Sequence, residues 1–165
     1  MPPVPTVIQR PLINGHEYSH ASKEILFNGI ALLGVKSLNY AIKKDVGKVY
    51  GTSPLRLGRT RGKEDPSCDM EIYRLEWEAV CLAALVGSPP AIPPTGFGDT
   101  NNSIQVVNYE PGMPTLVDEI LFAEITEVTL GSSDGTDPDV VKVTFDPLRI
   151  RLNGKVMSYP LKIGF

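Results

Sequence analysis

Cysteine and histidine are scarce in this chain: 165 residues hold two of each. The cysteines, Cys68 and Cys81, stand thirteen positions apart with no histidine beside them. That spacing fits neither a zinc ligand set nor a disulfide framework, so both read as buried thiols. Also missing is any apolar run close to the roughly 20 residues that a membrane-spanning helix requires. The segment Met1-Pro2-Pro3-Val4-Pro5 has neither the basic stretch nor the apolar core of a secretion signal, which makes a cytoplasmic folding environment the expectation. Hydrophobic content of 42% and charged content of 21% exclude wholesale disorder and collagen, and the length suits one domain.

What the chain does have is a polarity of charge. Residues 1–74 carry 11 basic and 7 acidic groups, a net of +4, whereas residues 75–165 carry 5 and 12, a net of −7. From Leu75 to Val141 there is no Lys or Arg and there are eleven Asp or Glu residues. Such a stretch repels polyanions, or else simply forms a solvated acidic surface.

Fifteen prolines and fifteen glycines are spread along the whole length and leave little room for long helices, so a β-rich domain is expected. Pro2, Pro3, Pro5 and Pro11 favour an extended arm. The prolines and glycines of residues 87–96 make an irregular connector between two structured halves. One segment, Leu75 to Val86, reads as a helix that ends at Gly87. Leu75, Ala79, Leu82 and Val86 lie on one stripe and Trp77, Cys81 and Leu85 on the next, for packing on a sheet. Elsewhere the period is two. Leu38, Tyr40 and Ile42 alternate with polar or small residues, as do Met70 and Ile72. Ile104 to Tyr109 and Ile120 to Leu130 are further strands, the latter with a slip of phase near Glu127. Val141, Val143 and Phe145 give way at Asp146-Pro147 to Leu148, Ile150 and Leu152. Asn153-Gly154 signals a two-residue hairpin into a last strand around Val156 to Ile163. Six or seven strands around one helix result.

Three chemical signals need weighing. His16-Glu17-Tyr18-Ser19-His20 matches the HExxH string of zinc hydrolases, but that chemistry needs a helix, which Pro11 and Asn14-Gly15 disfavour. These are also the only histidines, and no third ligand is identified. Leu57-Gly58-Arg59-Thr60-Arg61-Gly62-Lys63 fails as a phosphate loop, because three residues separate its glycines and Glu64 follows the lysine. Arg56, Arg59, Arg61 and Lys63 still form a basic patch. It has no aromatic residue to stack bases, and it suits an acidic neighbouring subunit at least as well as nucleic acid. The acidic residues show no pairing that singles out general acid–base catalysis. A binding or building role is the reading from residues alone.

The run from Val49-Tyr50-Gly51-Thr52-Ser53-Pro54 through Leu55-Arg56-Leu57-Gly58-Arg59-Thr60-Arg61-Gly62-Lys63, then Met70-Glu71-Ile72-Tyr73 and Glu76-Trp77, resembles tail tube proteins of tailed bacteriophages. Ile13-Asn14-Gly15, a strand from near Lys23 and Asp146-Pro147-Leu148-Arg149-Ile150 extend the likeness. The resemblance implies a mainly β fold with one helix, a sandwich or partial barrel. It implies a single domain over 1–165, with an N-terminal arm at 1–22 and a long inter-subunit loop at 51–67. It further implies a non-enzymatic virion protein without cofactor or metal, assembled in the host cytoplasm into stacked hexameric rings. If each of six subunits gave four strands, about 24 strands at roughly 4.8 Å spacing would make a ring about 37 Å across, which admits a duplex. DNA would be transiting cargo. A tape-measure protein, baseplate and terminator proteins, and a sheath in a contractile tail would be partners, with no membrane insertion. Asp118, Glu119, Glu124 and Glu127 are the lumen-lining candidates, since carboxylates deny phosphates a foothold. Arg56, Arg59, Arg61 and Lys63 would reach a neighbouring subunit. A tube of a related injection machine, of tailocin or secretion-system type, is the alternative. A small zinc hydrolase built on His16, Glu17 and His20 is the alternative from another class, tested by bound zinc.

Overall fold

The alternation of Met70 and Ile72 with Asp69 and Glu71 shows how the architecture is built. In the computed structural model, which describes residues 23–52, 54–86, 96–132 and 135–157, Met70 and Ile72 are buried and their neighbours face the other way. Among the described residues the same rule of two generates seven strands: β1 (Lys23–Phe27), β2 (Ile30–Leu32), β3 (Val35–Tyr50), β4 (Arg56–Tyr73), β5 (Asn102–Asn108), β6 (Leu116–Gly131) and β7 (Val140–Leu152). They form one antiparallel sheet in the order β2-β1-β5-β6-β7-β4-β3. One helix, α1 (Arg74–Val86), follows β4 directly. The expected mainly β class with a single helix is what the structure shows.

The sheet curls on itself. The Tyr40 hydroxyl on β3 donates a hydrogen bond to Asp118 Oδ2 on β6, although β4 and β7 lie between those strands. In a flat sheet three spacings would set them roughly 14 Å apart, more than a phenol and a carboxylate bridge. Phe27 of β1 and Phe145 of β7 also meet, with ring centroids 6.1 Å apart. The concave side holds the core, which includes Phe27, Met70, Ile72, Ile104, Ile120, Val141, Val143 and Phe145, and α1 covers it.

The helix boundary matches the sequence expectation within a residue, but its buried face does not. Trp77, Val80, Ala83 and Ala84 are buried, while Leu75 and Leu82 are 86% and 65% exposed. Val80, Ala83 and Ala84 are small, which lets the helix lie close against the large side chains of the sheet. Trp77 closes one side through an edge contact with Phe97, centroids 5.4 Å apart. At the other end Asn28 donates from Nδ2 to the Ala83 carbonyl, one of the last-turn acceptors that the helix leaves unsatisfied. Asn28 also bonds Asn102, whose amide donates to the Ala123 carbonyl, so buried polar groups tie helix, β1–β2 turn, β5 and β6 together.

Two irregularities set which side chains face out. The expected slip near Glu127 is present as a register shift between Ile125 and Glu127 against β7. A second bulge sits where Leu121 and Phe122 oppose Ser103 alone on β5, and Phe122 takes φ 55°. The phase change expected at Asp146-Pro147 falls later. Pro147 is buried with the odd-numbered set, Leu148 and Arg149 are both exposed, and of Leu148, Ile150 and Leu152 only Ile150 is buried. Register is the cause: Pro147 and Ala123 are partners, so β7 changes phase where β6 bulges. Asn153 and Gly154 form the expected turn, with φ 49° and 75°. Only part of the last expected strand, and neither the arm at 1–22 nor the connector through residue 95, is among the described residues.

The loop expected over 51–67 is corrected. Only residues 51–55 connect strands; from Arg56 onward the segment is β4, paired with β3 from Tyr50↔Arg56 to Val35↔Ile72. A hairpin needs no apolar face when its two strands satisfy each other's backbone, which is why composition alone suggests a loop. Gly62 is required there, because a β-carbon would run into the Asp45 carbonyl of the facing strand. Cys68 is buried as expected, whereas Cys81 is only half-buried.

Candidate functional site

The face of the sheet turned away from α1 has no layer over it among the described residues. Its side chains follow from the register. Gln105, Glu119 and Arg151 form one row across β5, β6 and β7. At the bulge Leu121 pairs with Arg149, which is exposed, and beyond it lie Phe122 and Leu148, both exposed. The next row pairs Glu124 with Asp146, and the one after it runs Glu127, Thr144, Asp69. Thr129, Lys142 and Glu71 follow. In these rows six carboxylates therefore share the face with three cations, Lys142 towards one end and Arg149 and Arg151 towards the other.

The four lumen candidates separate. Glu119, Glu124 and Glu127 share this face, because the two bulges carry the strand past the parity that plain alternation would impose. Asp118 lies on the other side. It is half-buried, accepts the Tyr40 hydroxyl and the Asn153 N–H at 2.9 Å, and so holds the curl and the β7 turn together. Glu119 accepts weakly from Gln105 at 3.5 Å and meets Arg151 at 3.7 Å. Glu124 and Asp146 are like charges directly opposite each other, an arrangement that destabilises a sheet by a few tenths of a kcal/mol or more. Asp69, Glu71 and Asp146 belong to the same face and are missing from the sequence candidates. Their signal was available in the alternation that buries Met70 and Phe145.

The basic candidates sit on the hairpin. Arg56, Arg59, Arg61 and Lys63 are all in β4, with Arg59 opposite Lys48 and Arg61 opposite Val46. Every described residue from 45 to 57 is exposed, so this part of the hairpin projects beyond the core as an arm. No ion pair among the described residues joins Arg56, Arg59 or Lys63 to the acidic face of the same subunit; Arg56 Nε donates to the Gly58 carbonyl instead.

Other chemistry is muted. Burial pushes the Cys68 thiol up to about 12, with the Asp69 charge adding to it, and burial also raises Cys81. Both thiols are therefore poor nucleophiles at neutral pH. Among the described residues no three His, Cys, Asp or Glu side chains are grouped to hold a metal, and His16, Glu17 and His20 lie outside them. No helix among the described residues is long and apolar enough to cross a membrane.

A scan against protein-family models finds no match, and neither does a search of curated proteins. Solved structures do match. A chain of the PVC sheath–tube complex, an extracellular contractile injection system in its extended state, superposes with a TM-score of 0.59 at 12% identity, over 83% of this chain and 91% of that one. A chain of the PVC sheath/tube terminator gives 0.60 at 11%, over 83% and 96%. The SPP1 tail tube gives 0.57 at 12%, over 85% and 81%. At such identities the likeness is one of fold: this chain has the tail-tube type of β fold.

Proposed function

We propose that this chain is the repeating, non-enzymatic subunit of a hollow tube. Six copies close a ring, rings stack, and the helix-free faces together line the bore. The observation that carries this is the uncovered acidic face on an open sheet. An antiparallel sheet tolerates one solvated face, but a long unpaired edge invites another strand, and among the described residues the edge strand β3 is 16 residues long. The likeness in fold to the SPP1 tail tube and to chains of the PVC tube assemblies supports the same reading. Carboxylates outnumber cations on the lining and weaken its hold on a polyanion, so phage DNA is the cargo that the face suits. In that setting a tape-measure protein occupies the bore earlier, and baseplate, terminator and, in a contractile tail, sheath proteins complete the structure within the virion.

A tube of an injection machine is the second reading, favoured by the matches to the PVC assemblies. Neighbouring genes for a capsid support the first reading and their absence the second. Electron microscopy of the purified protein over a concentration series tests both. Rings or hollow rods with a bore are expected; a uniform monomer throughout overturns the proposal.

A further inference from the structure

Two of the exposed apolar surfaces among the described residues lie at opposite ends of β4. One is the tip of the arm, where Tyr50 is 57% and Leu57 is 69% exposed, with Val46 and Val49 close behind. The other is the outer stripe of α1, formed by Leu75 and Leu82, two helical turns apart, with Leu85 beside them. They cannot meet within one subunit. From Arg56 to Tyr73 the strand runs 17 steps, roughly 56 Å, and a 13-residue helix folded straight back would stop roughly 36 Å short of the tip.

We propose that the arm tip of one subunit seats on the leucine stripe of α1 in a second copy of the same chain. This rests on the tube reading and names the contact that would link its subunits. Charge supports the second copy as occupant. Lys48 and Arg59 face each other across the arm, a like-charge pair that an anionic surface relieves. Glu76 and Glu78 flank the stripe, with Glu78 exposed and shared only with Arg74 of its own turn. Joining two different patches makes the contact heterologous, so it propagates from copy to copy into a ring or a stack instead of stopping at a dimer. The arm's projection of roughly 26 Å past Ile42, the last residue of β3 packed on the core, gives it the reach to do so.

Cross-linking tests the pairing. In a Cys81→Ser background, Leu57→Cys and Leu82→Cys are placed on separate chains, mixed under assembly conditions and treated with a short bis-maleimide. A dimer containing one chain of each kind is expected, and the doubly substituted chain should give a ladder of higher oligomers. Leu75→Ser with Leu82→Ser should raise the concentration needed for assembly about tenfold or more, a change of the size seen when a contact centre is truncated. Its melting as a monomer should not change, since both leucines are exposed. Rods that form normally from the double serine variant, together with rods of the cysteine chains that yield no 57–82 product, overturn this contact and leave the tube reading standing. Failure of the unmodified chain to assemble at all overturns both.

Discussion

Replacing Tyr40 by phenylalanine deletes one oxygen and tests the curl that brings β3 to β6. The phenol donates to the Asp118 carboxylate, and hydrogen bonds to charged groups contribute about 1.5–3 kcal/mol. Asp118 keeps its second donor, the Asn153 N–H at 2.9 Å, and is only half-buried, so water substitutes in part. The low end, about 1.5 kcal/mol, is therefore expected, equivalent to a fall in Tm of about 3–6 °C for a domain of this size. A pH signature accompanies it. Burial, foremost, and then the bond to Asp118 and its charge raise the ionisation of Tyr40 above the ordinary phenol value. Because the folded value is raised, the contribution is complete below about pH 10, where the unfolded phenol ionises, and is lost as pH climbs through the folded value. At pH 10.5 the unfolded state alone gains about 0.8 kcal/mol from this ionisation, so the gap between the two proteins should narrow by that amount. Urea melts of both proteins at pH 8 and pH 10.5, at concentrations too low for assembly, measure it. Equal stability at pH 8, or a gap that stays constant between the two pH values, refutes the reasoning.

Three further outcomes follow from the geometry. Glu124→Gln removes a like charge opposite Asp146 and should stabilise the subunit by about 0.2–1 kcal/mol in low salt, with the gain shrinking in urea melts at high salt. Phe122→Asn keeps the bulge but suits φ 55° far better, so thermal melting should rise or hold; a clear fall would show that the exposed ring contributes more than its backbone strain costs. Trp77→Ala strips the buried wedge between α1 and Phe97, and denaturant melts should show a loss of about 3–5 kcal/mol.

Local pattern made much of this fold readable in the sequence, and the failures have physical causes. Strands with one buried face, such as Ile104 to Tyr109 and the stretch around Met70, declare themselves because alternation there is a burial requirement. The slip near Glu127 was legible for the same reason. The buried side of α1 was not, since that helix is apolar nearly all round and tertiary packing buried Trp77 with the small Val80, Ala83 and Ala84, a face that matches neither leucine-bearing stripe. Composition concealed the long hairpin, whose exposed strands pair with each other and need no apolar stripe. A second Asn-Gly turn, Asn28-Gly29 with φ 50° and 83°, joins β1 to β2 and carries the same signal as Asn153-Gly154. It is missing from the sequence reading because β2 is too short to show a period. Of the four carboxylates singled out in the sequence, three share one face with Asp69, Glu71 and Asp146, but that common face was not legible. That face depends on the Phe122 bulge, whose trace in sequence is only the run Ile120-Leu121-Phe122-Ala123.

The departures from local rules are informative by their location. Glu124 against Asp146, Lys48 against Arg59, Phe122 at positive φ and a leucine stripe on the solvent side of a helix each make the lone subunit less stable or less soluble than it need be. None of them is in the core, where every buried side-chain polar atom among the described residues has a partner. All lie on the uncovered face, on the arm or on the outer helix. An isolated monomer gains nothing from these costs. In the closed array proposed above they would acquire functions: like charges on the lining would keep a polyanion moving, and unlike patches on arm and helix would bring copies together. Their distribution is thus a physical argument for assembly that does not depend on likeness to any other protein.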